Sequence, residues 1–241
     1  VADDNAISFT IASDTSERIR WLAGNKRLLM GTQGGEWVAR SDGAILTPND
    51  VSIEKNTAHG SAQVQPLEVE NVVVYVQAAK RKLREMVYNF DVDGYISPDL
   101  TILADHVTKS GIIQMAYQQE PDSVIWALRE DGQLATLTYK RDQDVVGWAR
   151  QIIGGVFGSG DAVVRSVAVI PGNDGAGQVY SSAERDEVWV IVKRTIDGAT
   201  VLGWLSVSPR HSLALERSFA SRARDLGLEP EVAALFLRSA R

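Results

Sequence analysis

The side chains able to do chemistry are few and scattered along the chain. Three histidines, His59, His106 and His211, stand far apart in unrelated contexts. Asp105-His106 has the composition of half a hydrolytic triad, in which a carboxylate orients the imidazole that takes a proton from a nucleophile. No serine occupies the Gly-x-Ser-x-Gly setting that exposes such a nucleophile on a strand-to-helix turn, so His106 reads as a loop or helix-end histidine. The run Gly154-Gly155-Val156-Phe157-Gly158-Ser159-Gly160-Asp161 invites comparison with a phosphate-binding loop. It lacks the Gly-Lys-Ser/Thr ending that places a lysine on the phosphates. Residues 162–170 behind it have strand character, so no helix N-terminus would face an anion. The run reads as a connector.

Acidic groups give two further candidates. Asp91-Val92-Asp93-Gly94-Tyr95, with the later Asp99, resembles part of a calcium loop, but that ion takes roughly six or more oxygen ligands and the closing bidentate glutamate is missing. An acidic hairpin turn is the simpler reading. Glu120, Asp122, Glu184, Asp186 and Glu187 could supply the two carboxylates of a glycoside hydrolase, which must stand at a defined separation across the sugar. Trp37, Trp126, Trp148 and Trp189 could stack on sugars, although tryptophans on strands equally suit a core. No residue is assigned as catalytic, cofactor-binding or metal-ligating, and the chain reads as a non-enzyme without a cofactor.

Composition narrows the class of protein. In 241 residues, 44% are hydrophobic and 23% charged, values ordinary for a globular chain with a sizeable core. Cysteine is absent, which removes disulfides, thiolate metal sites and thiol nucleophiles. Such a chain suits a reducing cytoplasm, or a particle built there and released later. No apolar run approaches the roughly 18 residues of a membrane span. The start, Val1-Ala2-Asp3-Asp4, is acidic and unlike a secretion leader. A net charge of −6 argues against tight binding of nucleic acid, since duplex affinity rests on Lys and Arg neutralising phosphates. Lys80-Arg81-Lys82-Leu83-Arg84 is the basic run that could form a local exception, but it reads more simply as a solvated turn flanked by strand edges.

The elements that must position these groups are strands. Short runs rich in Val, Ile, Trp and Tyr predict strands at 6–12, 18–22, 28–31, 36–40, 72–77, 83–89, 123–128, 134–139, 146–150, 165–170, 187–193 and 201–205. Turn signals separate them: Gly34-Gly35, Ser41-Asp42-Gly43, Asp93-Gly94, Asp131-Gly132, Asn173-Asp174-Gly175 and Asp197-Gly198. An aromatic sits inside an aliphatic strand at Trp21, Tyr75, Trp126 and Trp189, a spacing of roughly 50 to 60 residues that matches a four-stranded propeller blade with its loops. A sandwich is the rival architecture. Within residues 97–107, apolar positions 100, 103, 104 and 107 have helical spacing, with Ser97 as N-cap and Pro98 at the first position. From about residue 209 the texture changes. Residues 212–226 predict an amphipathic helix ended by Gly227, and Pro230 opens a second over 230–239. The expected organisation is an all-β, propeller-like domain over 1–205 and a short α-helical C-terminal appendage over 206–241.

One stretch is more specific. Met115-Ala116-Tyr117-Gln118-Gln119-Glu120-Pro121-Asp122-Ser123-Val124-Ile125-Trp126-Ala127-Leu128-Arg129-Glu130-Asp131-Gly132-Gln133-Leu134, continued to Trp148, resembles the tail tubular protein B (nozzle) family of short-tailed bacteriophages. Residues 186–198 fit the same pattern, as do Ile19-Arg20-Trp21-Leu22, residues 31–37, Pro98-Asp99-Leu100-Thr101 and Asp105-His106. The resemblance spans about residues 2–201 and stops near Leu202; the family's proteins are much longer. It implies a virion structural protein, β-propeller-containing and non-catalytic. Such a protein self-associates into a ring, contacts other tail proteins and lets DNA pass without sequence-specific binding. It also implies residence in the virion tail, and in the host cytoplasm during assembly. Two other readings stand beside it: a propeller-type protein that binds or hydrolyses carbohydrate, and a prophage remnant without present function.

Overall fold

The computed structural model describes residues 6–11, 13, 17–24, 26–41, 46–171 and 186–207. The chain divides into two compact units, Val1–Ile113 and Gln114–Arg241. Among the described residues the protein is all-β apart from single turns of helix, and its strands form blade-like antiparallel sheets.

The first unit contains two four-stranded meanders. One runs through β1 (Ile19–Gly24), β2 (Leu28–Thr32), β3 (Glu36–Arg40) and β4 (Ser52–Thr57), in that spatial order. The other runs through β5 (Leu67–Val69), β6 (Val72–Val76), β7 (Leu83–Asn89) and β8 (Gly94–Ile96). Every residue of β6 is buried, which is why that strand reads as an unbroken Val/Tyr run rather than an alternating one. Trp21, Leu29 and Val38 from the first sheet join Val73, Tyr75 and Met86 from the second in one core cluster. The Trp21 and Tyr75 rings lie 5.4 Å apart at 46°. The opposite face of the first sheet packs Met30, Trp37 and Ala39 against Ile11, Val51 and Ile53.

The second unit holds β9 (Ile112–Gln118, which begins just before the division), β10 (Val124–Arg129), β11 (Leu134–Lys140) and β12 (Val145–Gln151), again a meander in sequence order. A small hairpin follows, β13 (Val156–Phe157) with β14 (Gly160–Asp161), and then a three-stranded sheet of β15 (Val163–Pro171), β16 (Asp186–Ile196) and β17 (Ala199–Val207). Val188, Val190 and Val192 on β16 are buried while the residues between them are half-exposed, the period of two expected of a strand with one face on a core. They pack with Trp126, Leu128, Leu134, Val164 and Val167. Tyr75, Trp126 and Trp189 each lie on the second strand of their own sheet, so three of the four repeating aromatics recur at the same sheet position.

The structure departs from expectation in three places. Residues 6–11 form no strand. The predicted helix over 97–107 contracts to one turn, α1 (Asp105–Thr108). Its first half runs along β7 instead: Glu85 N–H donates to the Pro98 carbonyl at 3.3 Å, and Leu100 N–H to Leu83 at 2.9 Å. Ser97 does not cap a helix, because its hydroxyl is 2.7 Å from the buried Tyr75 hydroxyl. Strand-edge bonding therefore overrides the local helical spacing. Third, β4, β5, β8, β9 and the short β13 and β14 are additional strands; the Ser-Ile-Glu-Lys-Asn-Thr composition of β4 carries almost no apolar signal. β17 continues to Val207; residues 208–241, with the predicted helices, lie outside the described residues.

Candidate functional site

The groups singled out from sequence do not converge. Asp105 and His106 are both on α1 and exposed, and Asp105 lies 3.7 Å from Arg81 in an ion pair. His59 sits in another loop; partial burial and then the nearby Arg84 charge hold its imidazole below the ordinary value. His211 lies outside the described residues. Gly154–Asp161 forms the β13–β14 hairpin and runs straight into β15, where Lys193 Nζ stands 4.1 Å above the Phe157 ring. The basic run 80–84 is the β6–β7 turn: Lys82 pairs with Asp99 at 2.7 Å, and Arg84 donates to Gln77 at 2.8 Å and to the Ser97 carbonyl at 2.6 Å.

Most of the carboxylates and tryptophans singled out serve structure, while Glu120 and Asp122 are exposed in the loop between β9 and β10. Asp186 accepts hydrogen bonds from the backbone N–H groups of Gln119 and Glu120 at 2.7 and 3.1 Å, and so pins the loop before β10. Glu187 accepts from the Trp189 indole at 3.0 Å. Glu184 lies outside the described residues. Trp37 and Trp126 are core side chains; Trp148 and Trp189 are half-buried on separate sheets. Asp93 accepts from the Tyr88 hydroxyl within the β7–β8 turn, and Asp91 donates its N–H to Asn89 at 2.8 Å. Among the described residues no group of three or more His, Cys, Asp or Glu side chains could hold a metal ion.

Asp99 yields a pH prediction. Partial burial pushes its carboxyl up, but hydrogen bonds from Lys82 and Thr101 and the Lys82 charge outweigh that, leaving it below the ordinary value. A carboxylate lowered in the folded state stabilises fully above its unfolded pKa, about 4, and loses that contribution as pH falls through the folded value. Asp99→Asn is therefore expected to melt below the parent chain near neutral pH and to converge with it in strong acid. A gap in melting temperature that is constant with pH would contradict this.

A cleft in the first unit brings together residues that sequence reasoning left apart. Its volume is about 470 Å³. The buried Val87 and Tyr95 line it together with Tyr88, Phe90, Lys26, Arg27 and Asn71. Three hairpins supply these groups: β1–β2, β5–β6 and β7–β8. The two tyrosine rings meet edge to face, 5.7 Å apart at 74°, and the Arg27 guanidinium lies 5.6 Å from the Tyr88 ring centre. Tyr95 donates its backbone N–H to Asn56 on β4 at 2.9 Å, which ties the two sheets at this point. The hydrogen bond to Asp93 pushes the Tyr88 phenol up, and burial does the same for Tyr95. Tyr88, Phe90 and Tyr95 bracketing the Asp93-Gly94 turn were the signal available in the sequence. It was eclipsed by the acidic residues between them.

The fold and these sites define an all-β protein built from blade-like antiparallel sheets. No family model and no curated protein matches the chain. Among solved structures it is similar to an auxiliary nutrient binding protein from Bacteroides thetaiotaomicron VPI-5482, at 9% identity and a TM-score of 0.43, over 80% of this chain and 48% of that one. It is also similar to a mutant of AofleA from Arthrobotrys oligospora, at 11% identity and a TM-score of 0.36, over 81% of this chain and 57% of that one. The chain thus spans about half the length of the solved proteins it matches.

Proposed function

We propose that this chain is a non-catalytic structural component of a bacteriophage tail, of the tail tubular (nozzle) kind. In this reading it associates with copies of itself and with neighbouring tail proteins, and DNA passes along the assembly without sequence-specific binding. The observation that carries the reading is the role of the motifs behind the family resemblance: they build cores and turns. Trp21 and Trp37 fill the two faces of the first sheet, and Trp126 fills the core of the second unit. Asp131 accepts from the Gln133 N–H at 3.1 Å and pairs with Arg129 to close the β10–β11 turn. Motifs whose tryptophans fill cores and whose Asp131 and Asp186 accept from backbone N–H groups suit a scaffold. The net charge of −6 suits a conduit that repels phosphate. Among the described residues no helix is long and apolar enough to cross a membrane.

A scaffold of this kind needs a surface for its own copies, and β12 offers one. Among the described residues it is the edge of its sheet, and Val145 and Val146 on it are exposed. An unpaired strand edge with apolar side chains is a template for association. Val145→Lys with Val146→Lys is expected to lower the assembly's mass at fixed concentration without changing the melting temperature, since neither side chain belongs to a core cluster. An assembly of unchanged mass in this variant would exclude β12 as the contact.

A further inference from the structure

We propose that residues 6–11 of one copy add a fourth strand to β17 of the next, so that chains join head to tail. The inference rests on the self-association proposed above and names a pair of surfaces that carries it, beside the contact at β12.

Three of the sheets have four strands each, whereas the β15–β16–β17 sheet has three, and among the described residues β17 is its outer strand. The sequence beyond β17 predicts helices and not another strand. Proteins guard outer strands with charge, proline, brevity or a cover. Among the described residues, Arg20 on β1, Glu54 on β4, Glu68 on β5, Arg150 on β12 and Pro171 on β15 supply such guards. β8, β13 and β14 are only two or three residues long. β9 is uncharged, but its Gln114 amide engages the Val167 backbone at 2.9 and 3.3 Å. β17 has none of these guards. Its nine residues, Ala-Thr-Val-Leu-Gly-Trp-Leu-Ser-Val, hold no charge and no proline. Leu202 on it is 60% exposed and Trp204 51%.

Residues 6–11 are the complementary half. Ala-Ile-Ser-Phe-Thr-Ile alternates small or polar side chains with large apolar ones at the period of a strand, yet these residues form no strand within the chain. Ile11 packs against the cluster of Met30, Trp37 and Ala39 and so anchors the segment. Ile7 and Phe9 ahead of it are 43% and 53% exposed. Residues two apart on a strand share a face. One register therefore sets Ile7 and Phe9 beside Leu202 and Trp204 and covers all four, while both backbones gain ladder partners. Strand addition of this kind draws its affinity from main-chain hydrogen bonds and its selectivity from the alternate side chains. Donor and acceptor are different surfaces, so the contact is heterologous, and one rotation repeated can close it into a ring. A second β17 fits the same edge less well, because pairing β17 with itself would stop at a dimer and leave residues 6–11 unpaired.

The test puts the photo-cross-linker benzoylphenylalanine in place of Phe9. Isotopically light and heavy full-length chains are refolded together, irradiated, and their cross-linked peptides mapped by mass spectrometry. Light–heavy pairs joining residues 6–11 to residues 199–207 are expected. Leu202→Lys with Trp204→Lys should lower their yield by at least about tenfold, since burial of two large apolar side chains is lost. Both positions are exposed, so an unchanged circular dichroism spectrum would show that this variant stays folded. Cross-links confined to single chains would overturn the proposal. So would cross-links landing on other strands, no cross-links, or a yield unchanged in the lysine variant. A ring-sized assembly whose cross-links miss β17 would remove this contact and leave the tail reading standing, whereas a single-chain mass at every concentration would remove both.

Discussion

Trp126→Ala is expected to lower the stability of the second unit by about 3–5 kcal/mol, the usual cost of truncating a buried aromatic. Trp126 is 6% exposed on β10 and packs with Leu128, Leu134, Val164, Val190 and Val192. Its indole N–H also donates to Gln118 Oε1 at 3.0 Å, and Gln118 is itself 1% exposed on β9. The truncation therefore opens a cavity and leaves a buried amide oxygen without its donor, a loss worth about 1–3 kcal/mol by itself. The two terms separate experimentally. Trp126→Phe restores much of the volume but not the donor, so its loss should fall between the parent and the alanine variant. Denaturant unfolding measures all three. With whole domains stable by about 5–15 kcal/mol, the alanine variant should be visibly less tolerant of denaturant. A loss under about 1 kcal/mol would mean that this tryptophan does not hold the core together.

Gly60→Ala is expected to cost about 2–5 kcal/mol in the first unit, combining backbone strain of about 1–2 kcal/mol with overpacking of about 1–3 kcal/mol. Gly60 has a φ of +73°, and a Cβ added there would stand 2.1 Å from the Gln33 carbonyl oxygen and 3.2 Å from the Ala78 Cβ. The first of these is backbone, so no side chain can rotate aside. Nor can the segment easily retreat, since the Gly60 carbonyl accepts from Ala78 N–H at 2.9 Å and the adjacent Ser61 N–H donates to Thr32 at 2.7 Å. Gly147 on β12 is the contrast: nothing lies within 4 Å of its added Cβ, and its φ is ordinary. Gly147→Ala should be neutral, or stabilising by a few tenths of a kcal/mol through the unfolded chain. Equal losses at both positions would contradict the packing described.

Much of the fold was legible because burial leaves a period in the sequence. The alternation of Val188, Val190 and Val192 and the unbroken Val72–Val76 run mark strands with one and two buried faces, and both lie where they were expected. Turn chemistry was legible at Asp131-Gly132, where Gly132 takes a φ of +79°. β4 and β9 were not, for different reasons. β4 is a polar edge strand that buries little. β9 carries Gln114, whose amide bonds to Val167 backbone groups distant in sequence, and Gln118, whose amide accepts from Trp126 on the next strand. The helix over 97–107 failed because local spacing cannot register the β7 edge that claims its backbone. Among the chemical candidates, residue type alone could not show that Asp186 would cap a loop or that Asp99 would face Lys82. The cleft was illegible for a similar reason: Arg27 and Tyr88 meet only because two hairpins from different sheets come together.

The central claim, that this chain is built to assemble with itself, is tested most directly by its mass in solution, measured by light scattering behind size exclusion. The account predicts a discrete species at an integer multiple of the single-chain mass, large enough to close a ring and stable to dilution across the column. A single species at the mass of one chain, unchanged at every loading concentration, would contradict it.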